Sequence, residues 1–487
     1  MGEQLPALIV ATPLLFSFAI YLAGLWRRRL CYPLFLTSLA LSAIFSLWLF
    51  FRVMIFGPIS YPIGGWEPPW GIEYRVDHLS ALIIASVATV ALLVGLSFRG
   101  RVEGETEPSR WSQIYALFSL QLCGLLGMTV TGDVFNLYVL LEIASFSAYA
   151  IIAMGERGAE FFAFRYLIFG TIGACCYLLG VGHLYILTGS LNMADLSRLL
   201  PPLYPSRALL VGFALLVLGI GIKMAAFPLH TWLPDAYTEA PSSASAFLAP
   251  LSTKVASYVF LRILTGIFSP HFSLTSLGDA MGWVALAGAI FASLMALAQQ
   301  RLRRVLCYLI VSEISFLLMG VASRTADGLR GAVLHLVNDM FMMGCLFTGA
   351  CAILHQLGRE ELVALKGLCR KMPLTSAALL LGGLSIIGTP PLCGFFSKWY
   401  LVLGAIEARM WHIVIGLLVG SLLNTIVIFR ILEKVYLGAG HQHGRLYWDG
   451  LPKGMVMGLV IFSLSLILLG VFASEIVAKA IDPWIPL

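Results

Sequence analysis

The chain has 487 residues, 59% of them hydrophobic and only 11% charged, against roughly 25% charged residues in a soluble domain. That composition excludes an ordinary water-soluble enzyme and indicates a polytopic membrane protein, since each crossing needs about 20 apolar residues. The formal net charge of +6 is spread over many short loops, so it does not suggest a nucleic-acid-binding patch.

In chain order, fourteen apolar runs stand out, at 5–25, 32–55, 78–98, 112–130, 132–153, 161–187, 207–229, 241–268, 276–298, 305–321, 327–355, 372–408, 411–436 and 453–478. The expected fold class is therefore all-α and polytopic. The first run lacks a basic segment before it and is followed by Arg27, Arg28 and Arg29, so it reads as a retained span and not as a cleaved signal. If those arginines face the cytoplasm by the positive-inside rule, 19 Lys/Arg fall in cytoplasmic loops and 8 on the opposite side. Both termini are then expected on the outer side of the cytoplasmic membrane.

The remaining four basic residues, Lys223, Lys254, Arg262 and Lys398, lie within or at the edge of apolar runs. A charge at mid-membrane costs roughly 2.5–3.5 kcal/mol on insertion scales, so it needs an interior position and a partner. Glu142, near the middle of the fifth run, is a counter-charge for a lysine. It shares a helical stripe with Tyr138, Ser145 and Tyr149, which can supply hydroxyls. Lys254 is also mid-span, whereas Arg262, two turns on, is expected to snorkel to the membrane edge. Glu313 in the tenth run, and His335 and Asp339 in the eleventh, complete the set of ionisable groups at depth.

Two runs are interrupted. In the seventh, Pro228 and Pro234 flank His230 just after Lys223; Pro228 is expected to free the carbonyl of Met224. In the twelfth, Gly388, Pro390, Pro391 and Gly394 precede Lys398, and the prolines are expected to free the carbonyls of Ile386 and Ile387. Unwound backbone at membrane depth survives only where protein or water satisfies it. Interruptions five spans apart lie on opposite topologies, which points to an inverted repeat of two five-helix units. The expected divisions are residues 1–110 for helices 1–3, 111–270 for the first repeat (helices 4–8), 271–436 for the second (helices 9–13), and 437–487 for a cytoplasmic loop and helix 14. A desolvated lysine with a changing carboxylate partner can load and release a proton, which an arginine cannot.

The stretches "GIKMAAFPLHTWLPDAYTEAPSSASAFLAPLSTKVASYVFLR", "GLCRKMPLT" and "LGGLSIIGTPPLCGFFSKWY" resemble the antiporter-like subunits shared by respiratory complex I, Mrp-type sodium/proton antiporters and membrane-bound hydrogenases, over roughly residues 75–435. The resemblance implies fourteen helices, with helices 7 and 12 broken, and a proton relay of Glu142, Lys223, His230, Lys254, His335, Asp339 and Lys398. It also implies other membrane subunits as partners and protons as the cargo, with the carriage of sodium left open. This chain departs from the pattern at Met343, where a lysine is frequent, and at Asp339, where a histidine is frequent, so either Asp339 or water bridges the two halves. Arg301 stands where an aspartate is usual, and Glu313 where a glutamine is common. With nothing after the fourteenth span, the long lateral helix of the largest subunits is expected to be absent, which favours a likeness to the D-type subunits of Mrp antiporters or the middle complex I subunits.

Neither a cofactor nor a metal site is expected. The nine cysteines form no C-x-x-C pair, the adjacent Cys175 and Cys176 read as small apolar filler, and the pair His441/His443 is the one metal-like feature. No redox or hydrolytic motif is present, so any oxidoreductase activity would belong to a complex of which this chain is a subunit. The alternative is a stand-alone secondary transporter of an ion or organic solute, which shares the broken-helix logic but needs a substrate pocket.

Overall fold

The computed structural model describes residues 2–156, 158–268, 277–437 and 449–485. Arg157, Arg445 and the His441/His443 pair lie outside the described residues. In lipid every backbone N–H must be bonded within the protein, and the apolar runs accordingly fold as helices. In order they are α1 (Leu5–Trp26), α2 (Cys31–Phe56), α3 (His78–Leu96), α4 (Arg99–Glu105), α5 (Trp111–Val130), α6 (Val134–Ala153) and α7 (Ala159–Thr188). There follow α8 (Met193–Leu199), α9 (Arg207–Lys223), α10 (Leu233–Glu239), α11 (Ser242–Arg262), α12 (Leu277–Ala298), α13 (Leu302–Ser323) and α14 (Ala326–Leu357). The last are α15 (Leu368–Lys371), α16 (Pro373–Ile387), α17 (Cys393–Glu407), α18 (Trp411–Leu432), α19 (Lys453–Val471) and α20 (Ala473–Ile476). Twelve helices among the described residues are long and apolar enough to cross a membrane. A hairpin of β1 (Ile59–Pro62) and β2 (Glu73–Val76), in antiparallel register Ile59 to Val76, covers one end.

The helices divide into a core and a jacket. The most apolar stretches of α13 and α14 are wholly enclosed by protein, and that of α11 is 89% enclosed, whereas those of α1, α2, α7, α12 and α18 are 39% enclosed. A helix wrapped by other helices need not be apolar all round, and the three enclosed ones carry Lys254, Glu313, His335 and Asp339. Close approach in the jacket relies on glycine: a Cβ at Gly219 of α9 would stand 2.6 Å from the Gly173 carbonyl oxygen of α7.

Helix α9 stops at Lys223, ahead of the expected span end at 229, and the chain passes through Ala225 with φ of 57° before α10 begins. Because the helix has already ended, Pro228 is not what terminates it, and Met224 lies beyond its last turn. The nearby carbonyl of Ile222 is held by the Trp232 indole, 3.0 Å away. Helix α16 ends at Ile387 on Gly388 in the left-handed region, φ 91°, and α17 starts five residues later at Cys393. Here the Ile386 carbonyl accepts a hydrogen bond from Lys398 Nζ. The two segments meet backbone to backbone, since a Cβ on Gly394 would overlap the Ser385 carbonyl oxygen.

Several of the loop arginines are paired. Arg301 bonds Glu239 and Glu360, Arg303 bonds Glu360 and the Ala240 carbonyl, and Arg165 and Arg304 converge on Asp235. The network ties the ends of α10, α11, α13 and α14 and gives Arg301 a structural reason.

Candidate ion-pair relay

Two buried constellations gather most of the ionisable residues that lie within the apolar runs. In the first, Lys223 at the end of α9 reaches back to α6. Its Nζ is 3.3 Å from Glu142 Oε1 and donates to Ser145 Oγ at 2.7 Å and Tyr149 Oη at 3.3 Å. Ser145 and Tyr149 are one and two turns beyond Glu142, so the helical stripe seen in the sequence serves as a three-point cradle. Tyr138, the fourth member of that stripe, instead packs against Phe135 at 6.2 Å. A cavity of about 30 Å³ beside Lys223 is lined by Gln121, Ser145, Tyr166 and Ser252, enough for a water. Gln121 Nε2 donates to Ser252 at 3.2 Å, which brings this polar group to α11, the helix that also carries Lys254.

The second constellation lies among α11, α13, α14 and α17. Lys254 Nζ is 3.2 Å from Asp339 Oδ2, with both side chains almost entirely enclosed. One turn before Asp339 on α14, His335 places Nε2 3.3 Å from Glu313 Oε2, while its Nδ1 lies 3.1 Å from Ser397 Oγ. Glu313 also faces Lys398 Nζ at 3.7 Å and accepts from Asn424 Nδ2 at 3.0 Å. Lys398 Nζ sits 4.6 Å from the centre of the Phe316 ring, a favourable cation–π contact. Two lysines thus face two carboxylates, with His335 between the pairs. Each charge has an opposite within reach, the condition for keeping ions in low dielectric.

Three placements differ from expectation. Arg262 does not snorkel: its guanidinium grips Asp77 with two bonds of 2.6 and 2.7 Å and also donates to Ser80 Oγ at 2.6 Å. The bidentate fork fixes α11 to the start of α3, where Asp77 also caps the helix by accepting from the Ser80 N–H. His230 joins neither constellation. It is buried between Phe227, Phe291 and Tyr308, and among the described residues its Nδ1 has no hydrogen-bond partner. Glu313, noted in the sequence as a charge at depth but given no role, sits at the centre of the second constellation. The sequence signal was its position in a run whose other residues are nearly all apolar or small.

No group of three or more His, Cys, Asp or Glu among the described residues could hold a metal ion. All nine cysteines are free thiols, with Cys175 exposed and Cys176 half-buried. Two cavities lie away from these constellations: one of about 620 Å³ at the arginine-rich face, next to Glu105 and Glu239, and one of about 250 Å³ next to Arg262 and Asp77.

The chain is similar over nearly its whole length to known proteins. It is 41% identical to the NADH-quinone oxidoreductase subunit N of Desulforudis audaxviator, covering 99% of both chains. It is 31% identical to the D-type subunit of the Na(+)/H(+) antiporter of Bacillus subtilis, covering 86% of this chain and 84% of that one. Among solved structures, a chain of the membrane-bound sulfane sulfur reductase, an archaeal respiratory membrane complex, superposes with a TM-score of 0.91 at 29% identity, over 99% of this chain and 97% of that one. A chain of Thermus thermophilus respiratory complex I shares the fold, with a TM-score of 0.85 at 24% identity over 98% and 97% of the two chains. Residues 131–424, which hold both constellations, match the model of the family described as NADH:quinone oxidoreductase/Mrp antiporter, TM, and the chain belongs to that family of multi-pass membrane proteins.

Proposed function

We propose that this chain is a proton-translocating, antiporter-like subunit of a multisubunit complex in the cytoplasmic membrane, with both termini outward. The observation that carries the reading is the pair of enclosed constellations, Glu142 with Lys223, and Lys254, Asp339, His335, Glu313 and Lys398. Ions at such depth are costly unless functional or paired, and here the pairs are built from lysines and carboxylates, groups that can exchange protons. In this reading α9 with α10, and α16 with α17, are the seventh and twelfth of fourteen spans. Residues 111–270 and 271–436 form two inverted repeats between the helices of 1–110 and the segment 437–487. Protons move between Lys223 and Lys254 through water beside Gln121, and Asp339 takes the place of the missing base at Met343. Other membrane subunits of the same complex are the partners, and protons are the cargo.

A stand-alone transporter of an organic solute needs a mid-membrane pocket. The described cavity beside Lys223 holds about 30 Å³, room for a water and not for an organic solute, which favours protons. The test is proton uptake by the purified native complex in liposomes. Glu142→Gln and Lys223→Ala are each expected to abolish uptake while leaving assembly intact, and a double variant that pumps like wild type would overturn the assignment.

A further inference from the structure

Where α1 ends and α2, α4 and α5 begin, a cavity of about 240 Å³ opens at the arginine-rich face. Its lining includes Arg28, Arg29, Tyr32, Arg99, Trp111 and Tyr115. None of these residues belongs to either ion-pair constellation.

Three guanidiniums meet one carboxylate there. Glu103 lies 3.6 Å from Arg99 as an exposed i,i+4 pair, and among the described residues Arg28 and Arg29 have no ion-pair partner. The floor of the cavity is Tyr115, 1% exposed. Its hydroxyl has no hydrogen-bond partner among the described residues, although buried polar groups are nearly always bonded. The ring itself is well held, 5.3 Å from Phe35 and 5.8 Å from Tyr32, so the hydroxyl, not the ring, is what lacks a partner. Helices α2 and α5 both start at this level with no side-chain cap on their first turns, and uncapped helix N-termini favour an anion. At the end of α1, just before Arg28 in the chain, Leu22, Leu25 and Trp26 are 61%, 65% and 92% exposed. Trp26 and Trp111 stand where tryptophan marks the boundary between headgroups and hydrocarbon.

We propose that this cavity binds the phosphate of an anionic glycerophospholipid. Arg28, Arg29 and Arg99 supply the charge, the Tyr115 hydroxyl donates to a phosphate oxygen, and the acyl chains lie along the exposed end of α1. Free phosphate would satisfy the arginines and the tyrosine but leave the exposed apolar end of α1 without a role, which is why a lipid is the occupant argued for.

The experiment uses the intact complex in vesicles doped with a phosphatidylglycerol carrying a photoactivatable group near its headgroup, followed by peptide mapping of the crosslinks. Labelling is expected in peptides spanning residues 20–35 and 110–118. Tyr115→Phe, which leaves the ring packing in place, is expected to cut labelling about tenfold, the worth of one hydrogen bond to a charged group. Arg28→Gln with Arg29→Gln is expected to remove it. Unchanged labelling in Tyr115→Phe, or equal labelling by a phosphatidylcholine probe, would overturn the proposal. Displacement of the probe by millimolar inorganic phosphate would also overturn it, by making the site one for a free anion.

Discussion

Glu313→Gln is the sharpest perturbation the structure offers. Glutamine keeps the shape of the side chain and can still accept the 3.0 Å hydrogen bond from Asn424, so little changes except the charge. What is lost is the attraction to Lys398 Nζ, 3.7 Å away. Two unit charges at that distance, in an effective dielectric of about 20, attract by roughly 4 kcal/mol. If the step that passes a proton across the second constellation felt all of it, the rate would fall by about three decades, at 1.36 kcal/mol per factor of ten. Relaxation of Asn424 and local water reduce that, so a fall of at least about tenfold is expected. The assay is the initial rate of proton uptake by the purified complex in liposomes, at matched protein, read with a pH-sensitive dye. Glu313→Asp, which keeps the charge on a shorter stem, should retain more activity than the glutamine. A Glu313→Gln rate within about twofold of wild type would refute the argument, since a centre that loses the nearest counter-charge to Lys398 cannot be indifferent.

Asp339→Asn removes the counter-charge 3.2 Å from Lys254 and is expected to slow proton uptake strongly, with partial rescue by Met343→Lys one turn further along α14; equal rates for wild type and Asp339→Asn would place the bridge elsewhere. Arg262→Lys keeps the charge but loses the two-pronged grip on Asp77, so the melting temperature of the purified complex should fall by an amount equivalent to about 1.5–3 kcal/mol, while an unchanged melting curve would mean the fork contributes no stability. Gly394→Ala would press a Cβ into the Ser385 carbonyl and should lower assembled protein in membranes, measured by immunoblot of the native complex; normal assembly with normal transport would show that α16 and α17 can part.

Helix positions were legible because lipid enforces them. The run read at 161–187 is α7, Ala159–Thr188, and the run read at 327–355 is α14, Ala326–Leu357. The seventh run was read too long, to 229, because residues 224–229 are almost as apolar as the helix before them and hydropathy does not register that the chain turns at Ala225. At the site, the Lys223 cradle was readable from one helix, since Glu142, Ser145 and Tyr149 share a stripe. The centre at Glu313 was not, because its partners come from α14, α17 and α18, and nothing local in α13 says which helices surround it. The same holds for Arg262, whose partner Asp77 is 185 residues away in the chain. Snorkelling was the cheaper assumption because Asp77 lies outside every apolar run, one residue before the third.

The two interrupted helices differ in who holds the loose backbone. At the first, the Ile222 carbonyl is held by the indole of Trp232, a donor that never ionises. At the second, the Ile386 carbonyl is held by Lys398 itself. The first junction is therefore a fixed bracket, indifferent to whether Lys223 keeps or leaves Glu142, 3.3 Å away. The second is a latch whose bolt is an ionisable group that also faces Glu313: whenever Lys398 turns toward another partner, a carbonyl deep in the protein must find a new donor, and water is the one that fits. Displacement of a lysine and wetting of the backbone are thus tied together at the second junction and separate at the first.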